Sequence, residues 1–421
     1  MRWIGTVLLI ALVALAGVAR VAAQQAASTR EPLRLDALES RALATHPAVR
    51  EAAARVEAAR GRAIQAGAWT NPVIGATSED IQTLERPSGV FGAFVAQTIP
   101  LGGKLSAGRN EAEREIATRE ADLEITRQRV LTRVRAAYFD VLTAEERLAT
   151  IERLATLANE TVAINRQLFN VGLSDQPDVL QAEAEAARVR LEFVQARERR
   201  EAAWHRLAAS ADQPIVPGPL ASSVDTAFPV FDRQAALERI LSESPALRAA
   251  AGAVARERAG VVVARRVTAP DLFLRADVGW NREVLASRGK PAGWEIDAEA
   301  GLSLPFFNRN RGGIAAAVAA TSAAEASASR VRLELELRFA DIFEQYETAR
   351  TAAVTYRSDI LPRAQRAYEL YLAKYREMAA PYPQVLMAQR GLLQMTEQYI
   401  DAVERAWRAV VRLQGFAAED E

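Results

Sequence analysis

The stretch Trp294–Leu304 alternates without a break: apolar Trp294, Ile296, Ala298, Ala300, Leu302 and Leu304 interleave with Glu295, Asp297, Glu299, Gly301 and Ser303. A period of two places the two sets on opposite faces of a β-strand, and about ten residues is the length a tilted strand needs to cross a bilayer. One apolar and one acidic face suit lipid outside and water inside, the pattern of a transmembrane β-barrel. Most of the remaining chain reads as helix, so this strand and a few like it must find partners.

The N-terminus sets the compartment. Arg2, the apolar run Ile4 to Ala19 and the small residues Val21-Ala22-Ala23 before Gln24 read as a signal peptide over residues 1–23; the competing reading, an uncleaved anchor, needs a longer run. No later segment has about eighteen consecutive apolar residues, so the mature chain enters a membrane only as strands. Lys+Arg and Asp+Glu are 53 each, without the basic excess of a nucleic-acid binder, and 50% hydrophobic residues exclude global disorder. Cysteine is absent, which removes disulfides, thiol catalysis, thiolate metal sites and lipidation on Cys.

In chain order, Leu33–Thr45 and Pro47–Ala66 read as helices, and Trp69-Thr70-Asn71-Pro72 breaks them. Val73 to about Leu84 and Val90–Ile99 read as strands around the loop Glu85–Gly89. From Lys104 a helix runs for roughly 65 residues, on the order of 100 Å. Its seam, Leu123, Arg127, Val130, Val134, Ala137, Val141, Ala144, Leu148, Ile151, Ala155, Ala158 and Val162, has coiled-coil spacing. Gly172 suits a left-handed C-cap and Pro177 a new start, with Asp178 as N-cap of a return helix to about Ala209. A Pro-rich linker covers 213–230.

The programme then repeats. Ser244-Pro245-Ala246-Leu247-Arg248 echoes His46-Pro47-Ala48-Val49-Arg50, and Ala269-Pro270 echoes Asn71-Pro72 at the same offset. Val385-Leu386-Met387-Ala388 echoes Val179-Leu180-Gln181-Ala182 at a slightly larger one. The chain is a tandem duplication: a first repeat over 24–212, a second over 231–415, and a tail at 416–421. In the second copy Leu272–Trp280 is a strand, Asn281–Gly293 its loop, and Trp294–Leu304 the fourth strand. Trp280 and Trp294 flank that loop where a membrane-interface girdle belongs. A helix from Gly313 to Met378, a turn at Ala379–Pro383 and a return helix to about Leu413 complete it.

Four strands cannot close a barrel, and open edges in lipid leave backbone groups unpaired. Two copies give eight strands, whose interior side chains fill; three give twelve and a lumen. The expected fold is mainly α with a small membrane β-barrel portion: duplicated long helical hairpins plus four strands per chain, assembled as a homotrimer.

Together with this organisation, Gln97-Thr98-Ile99-Pro100-Leu101-Gly102-Gly103-Lys104, Asn170-Val171-Gly172-Leu173-Ser174 and Leu304-Pro305-Phe306-Phe307-Asn308-Arg309-Asn310-Arg311-Gly312 resemble the TolC family of outer-membrane efflux proteins, most similarly its cobalt-zinc-cadmium branch. The resemblance implies a trimeric twelve-stranded barrel in the outer membrane of a Gram-negative bacterium, continued by a periplasmic helical tunnel. It also implies a periplasmic adaptor and an inner-membrane pump of the resistance-nodulation-division class, with divalent heavy-metal cations as cargo. A TolC-like duct for drugs or protein secretion, or a periplasmic coiled-coil scaffold without a pore, are the alternatives. Two departures stand out: no lipidated Cys, and Ala379-Ala380 where the first turn has Val171-Gly172.

Candidate residues follow. Glu295, Asp297 and Glu299 form lumenal acidic rings, or a solvated face balanced by Arg275. The turns Val171, Gly172, Leu173, Ser174 and Ala379, Ala380, Pro381 are adaptor contacts by resemblance, or simple helix terminators. Asp175 and Asp178 are gate candidates. His46 and His205 lack ligand-spaced partners, and Met378, Met387 and Met395 read as packing. Gly102-Gly103-Lys104 lacks the rest of a phosphate loop. No catalytic residue, cofactor site, metal site or nucleic-acid partner is expected, and the chain is not read as an enzyme. Mass spectrometry of protein purified from membranes is expected to find Gln24 as the first residue; a chain beginning at Met1 would replace the signal-peptide reading with the anchor.

Overall fold

In the computed structural model, residues 32–79, 89–224, 226–285 and 290–416 are described. The signal-peptide segment lies outside them, as do most of the first strand loop and the tip of the second. The elements run α1 (Leu35–Thr45), α2 (Pro47–Ala66), β1 (Val73–Glu79), β2 (Val90–Pro100), α3 (Lys104–Asn170), α4 (Gln176–Ser210), α5 (Arg233–Glu243), α6 (Pro245–Arg266), β3 (Asp271–Leu285), β4 (Lys290–Leu302) and α7 (Arg311–Thr355), then a π-helical turn at Tyr356–Ile360, α8 (Leu361–Arg376) and α9 (Tyr382–Gln414). Two compact units result, one of 50–126 with 239–336 and one of the remainder, and each draws on both halves of the chain. Among the described residues no helix is long and apolar enough to cross a membrane.

The first unit holds the sheet, ordered β1-β2-β3-β4 and antiparallel throughout. Its register aligns alternate residues into rows. Ile74, Val95, Ala276 and Ala298 form one row, Ala76, Ala93, Val278 and Ile296 the next, and Ser78, Phe91, Trp280 and Trp294 a third, giving one apolar face across four strands. The other face carries Val73, Ala96, Arg275 and Glu299, then Gly75, Phe94, Asp277 and Asp297, then Thr77, Gly92, Gly279 and Glu295. Trp294 and Ile296 on the apolar face are 74% and 78% exposed in a single copy.

The loop expected at Asn281–Gly293 is shorter. Strand pairing continues through Val284↔Pro291 and Leu285↔Lys290, beyond an irregularity between Asn281 and Val284. A bulge of this kind shifts the alternation by one residue, so the two-residue period no longer signals a strand there. Glycine is required on the polar face: a Cβ on Gly92 would lie 2.4 Å from the Val278 carbonyl oxygen, and one on Gly75 would lie 2.5 Å from the Phe94 ring.

At the strand-to-helix junctions the two halves use different residues for one task. Gly103 has φ +74° and accepts the Ala107 amide; Asn310, at φ +50°, accepts the Ile314 amide in the same way. The Asn310 amide donates to Asn308 Oδ1, and Asn310 Nδ2 donates to the Ala264 carbonyl at 2.8 Å. Lys104 Nζ reaches Asp271 Oδ1 at 2.7 Å, tying the start of α3 to the start of β3.

The second unit packs the hairpins side by side. Ile151, Leu154 and Ala158 of α3, Ala182, Ala186 and Val189 of α4, Tyr368 and Leu372 of α8, and Val385, Leu386, Leu392 and Leu393 of α9 share one core. The seam alanines leave the close approach that such packing needs. The Pro-rich stretch is strapped down rather than free: Leu220 bridges Leu33, and the Tyr138 hydroxyl lies 3.3 Å from the Leu33 carbonyl and 3.2 Å from Ser222 Oγ. Tyr346 donates to the Pro229 carbonyl, and Phe228 packs on Trp407. The helix expected over Gly313–Met378 is interrupted at Tyr356–Ile360. Pro362 has no N–H and its ring clashes with the carbonyl four residues back, and a widened turn accommodates it.

Gly92→Val should force β2 away from β3 and lower the melting temperature of the purified protein, whereas Gly61→Ala in α2, with nothing within 4 Å of its Cβ, should leave it unchanged.

Candidate functional surfaces: an acidic strand face and two hairpin tips

Glu295, Asp297 and Glu299 share one face of β4 because they are two residues apart on an extended strand. Across the ladder they meet Gly279, Asp277 and Arg275 respectively. Arg275 is the cation that might have neutralised them, yet its Nε and Nη2 are held by Asp277 Oδ2 and Oδ1 at 2.9 and 2.8 Å, with the guanidinium 4.3 Å from the Phe94 ring centroid. The face therefore keeps an acidic excess on β4, with Asp297 directly opposite Asp277. Asn281 Nδ2 donates to Glu295 Oε2 at 3.1 Å. Sequence reasoning passed over Asp277, whose signal was its odd position in the apolar alternation of Leu272–Trp280. On the opposite face Trp280 and Trp294 meet edge to face, ring centroids 5.5 Å apart.

The first tip ends α3 with Gly172 at φ +73°. The Gly172 amide donates to the Phe169 carbonyl and the Leu173 amide to that of Leu168, a paired-bond helix ending. Val171 and Leu173 project as exposed apolar side chains. Asp175, not Asp178, stands at the cap of α4, and its side chain makes no capping bond; its carbonyl accepts the Asp178 and Val179 amides. Asp178 lies inside the first turn because the helix already begins at Gln176, with Pro177 as its second residue. Burial first, and then the charge of Asp175, push the Asp178 carboxyl above its ordinary value.

The second tip has the same bonds one repeat later: Met378 amide to Tyr375 carbonyl, Ala379 amide to Lys374 carbonyl. Met378, at φ +58°, is thus the counterpart of Gly172, and Ala379 that of Leu173. The sequence match of Ala379-Ala380 to Val171-Gly172 is corrected accordingly; a side chain in the left-handed region costs about 1 kcal/mol, so a Gly is easy to look for and Met is not. Ala379 and Pro381 are exposed, and Ala380 is half-buried.

Behind the tips runs a polar ladder that sequence reasoning missed. Tyr375 donates to Asn165 Oδ1 at 2.6 Å, Asn165 Nδ2 to the Thr161 carbonyl at 3.0 Å, and Thr161 Oγ1 lies 3.4 Å from the Tyr368 hydroxyl. The available signal was Asn165, polar at the seam's own spacing after Val162. Farther from the tips Glu185 is only 2% exposed and is held by Arg188 at 2.5 Å and by Arg390 of α9 at 2.9 Å. Burial raises its carboxyl, but hydrogen bonds and charge from the two arginines outweigh it and hold the group below its ordinary value. Among the described residues no cluster of three His, Asp or Glu is arranged to hold a metal.

With this geometry in view, the comparisons with known proteins agree with one another. The family model described as outer membrane efflux protein matches residues 38–212 and 236–418. The chain is 27% identical over 382 residues to the cobalt-zinc-cadmium resistance protein CzcC of Cupriavidus metallidurans, covering 91% of this chain and 89% of that protein. It is 31% identical over 293 residues to the nickel and cobalt resistance protein CnrC of the same organism, covering 67% and 66%. Among solved structures, the outer membrane protein VceC of Vibrio cholerae matches with a TM-score of 0.75 at 21% identity, over 92% of this chain and 97% of that one.

A carboxylate whose folded value is depressed stabilises the fold above its unfolded value and loses that contribution as pH falls through the folded one. Glu185→Ala should therefore cost about 1 kcal/mol at neutral pH, because the two arginines it releases are half exposed to water and Arg188 keeps Glu192. In thermal melts the gap to the parent should narrow as the buffer is acidified below the usual carboxylate range. A gap constant with pH would show that Glu185 acts by packing alone.

Proposed function

Because this chain belongs to the outer membrane efflux protein family, whose members are channels and not enzymes, we propose that it is the exit duct of a three-part efflux system whose cargo is divalent heavy-metal cations. The family works in tripartite systems and is generally trimeric. In this reading three copies pair β4 of one with β1 of the next, the apolar rows face outer-membrane lipid, and Trp280 and Trp294 mark the interface. Glu295, Asp297 and Glu299 then line the lumen as stacked acidic rings, which favour cations over anions.

The observation that carries the cation reading is the acid excess of this face: Arg275, hydrogen-bonded to Asp277 and opposite Glu299, is one cation facing four carboxylates, those of Asp277, Glu295, Asp297 and Glu299. The resistance to cobalt, zinc, cadmium and nickel in the names of CzcC and CnrC supports a metal cargo. With no thiol and, among the described residues, no clustered ligands, selection falls to the inner-membrane pump, of the resistance-nodulation-division class, and the duct contributes charge alone. The tips at Val171–Ser174 and Ala379–Pro381 would meet the periplasmic adaptor. The first presents the exposed apolar side chains of Val171 and Leu173, and the second those of Met378 and Ala379. Asp175 and Asp178, close in sequence at the first tip, would ring the periplasmic entrance.

Replacing all three acids as Glu295→Gln, Asp297→Asn and Glu299→Gln should reduce the cation preference of reconstituted channels several-fold, read as a smaller reversal potential in a salt gradient. An unchanged reversal potential would remove the ring. Growth of a deletion strain on zinc, cobalt, cadmium and nickel against lipophilic drugs tests the cargo separately: sensitivity to drugs alone would replace the metal assignment and keep the duct.

A further inference from the structure

One copy leaves both edges of its sheet bare, and the internal duplication indicates how they meet. Ile74 on β1 is 78% exposed, and Leu302 and Leu304 at the end of β4 are each more than half exposed. Within the chain the first repeat already joins the second along β2 and β3, where Pro100 stands opposite Asp271 and Ile99 opposite Leu272. A ring of copies repeats that junction: β4 is the counterpart of β2, and β1 of the next copy is the counterpart of β3.

Proline landmarks supply the residue-by-residue match. Pro100 follows Ile99 as Pro305 follows Leu304, and Asp271 follows Ala269-Pro270 as Val73 follows Asn71-Pro72. The in-chain pair of Pro100 with Asp271 therefore maps onto Pro305 with the partner's Val73. Running antiparallel from there, Leu304 meets the partner's Ile74, Leu302 the partner's Ala76 and Ala300 the partner's Ser78. All of these lie on the apolar side of the alternation in a single copy. On the other face Ser303 meets the partner's Gly75, Gly301 the partner's Thr77 and Glu299 the partner's Glu79. A slip of one residue would set lipid-facing side chains against water-facing ones along the whole seam.

Barrel geometry separates this register from its rivals. Counting from the helix starts instead, where Gly103 and Asn310 do the same work, shifts the pairing by two residues and sets Leu302 opposite the partner's Ser78. A row at right angles to the strands runs from Val73 through Ala96 and Arg275 to Glu299. In the first register it arrives at the partner's Glu79, about six residues along β1 from its start. With about 3.3 Å per residue and about 4.8 Å between strands, three such steps around twelve strands tilt them by about 46°. The rival register tilts them by about 54° by the same geometry, whereas closed barrels cluster at about 35–45°. A shift of two residues the other way, with Leu302 opposite the partner's Ile74, gives about 35° but corresponds to neither alignment of the repeats.

We propose that β4 closes on β1 of the next copy with Leu302 opposite the partner's Ala76, and that Glu79 of the partner subunit thereby completes the acidic face beside Glu299. The occupant of the bare edge is a second copy, because the junction of β2 with β3 is its template and the two edges carry matching apolar rows. Carboxylates directly opposite one another repel, so a passing cation is favoured at each seam. The proposal rests on the duct reading above and deepens it: the level of Glu299 carries a second carboxylate per copy, contributed by the neighbour.

The absence of cysteine permits a direct test. Full chains carrying Leu302→Cys with Ala76→Cys, or Gly301→Cys with Thr77→Cys, are oxidised in isolated membranes and run on denaturing gels without reductant. The two pairs cover both kinds of opposed position in an antiparallel ladder. Since β1 and β4 are opposite edges of one sheet, a bond between them joins two copies. Leu302→Cys with Ser78→Cys, and Leu302→Cys with Ile74→Cys, report the two shifted registers. The expected result is several-fold more linkage between copies in one or both of the first two variants than in the shifted ones. More linkage in a shifted pair would overturn the register and keep the closure between copies, whereas no linkage in any of the four would overturn the closure and the duct reading with it. In reconstituted channels Glu79→Gln should lower the cation preference about as much as Glu299→Gln does, read as a reversal potential in a salt gradient. A Glu79→Gln channel with the parent's reversal potential would remove Glu79 from the acidic face.

Discussion

The free hydrogen-bonding edges of a four-stranded sheet govern this molecule. β1 and β4 each present a row of unpaired backbone groups, and in hydrocarbon each such group costs several kcal/mol. In water an edge is managed with charge or a bulge. In a membrane the only relief is closure, and one chain of this kind has too few strands to close. Association is therefore a condition of the sheet's stability, and it also explains why large apolar side chains such as Ile296 stand bare in a single copy.

Closure has an electrostatic consequence. A barrel separates lipid from water, so alternation must be kept in register across all strands, as the rows through Val278 and Ile296 and through Asp277 and Asp297 show. The polar side is the crowded one, with glycine at Gly75 and Gly92 making room for Phe94 and for neighbouring backbone. Within it Arg275 is hydrogen-bonded to Asp277 and stands across the ladder from Glu299. The chemistry asked of such a surface is modest. Under the proposed reading it would attract cations and release them, which single carboxylates do better than a converging metal site.

The helical unit meets a different requirement. Small seam residues let the helices approach closely, which supplies packing but little directional information. Direction comes from buried polar ties: Arg390 to Glu185, Arg147 to Asp401, and Tyr375 to Asn165. An unpaired buried partner is expensive, so these ties fix which helix faces meet. Of these three, the Tyr375–Asn165 tie lies beside the tips, and the other two lie farther along the helices.

Much of this was legible in the sequence. The strands, the long hairpins, the glycine cap at Gly172 and the charge pattern of β4 all come from local periodicity and turn chemistry, which neighbouring residues determine among themselves. The extension of β3 and β4 past Asn281 was hidden because a bulge shifts the period. Met378 as the partner of Gly172 was hidden because a left-handed site can be held by hydrogen bonds against a residue's own preference. The ladder from Tyr375 to Thr161 and the clamp of Tyr138 on the Pro-rich stretch were decided by tertiary structure. Each depends on which side chain is brought opposite another, and the spacing of residues along one strand or helix carries no record of its partner.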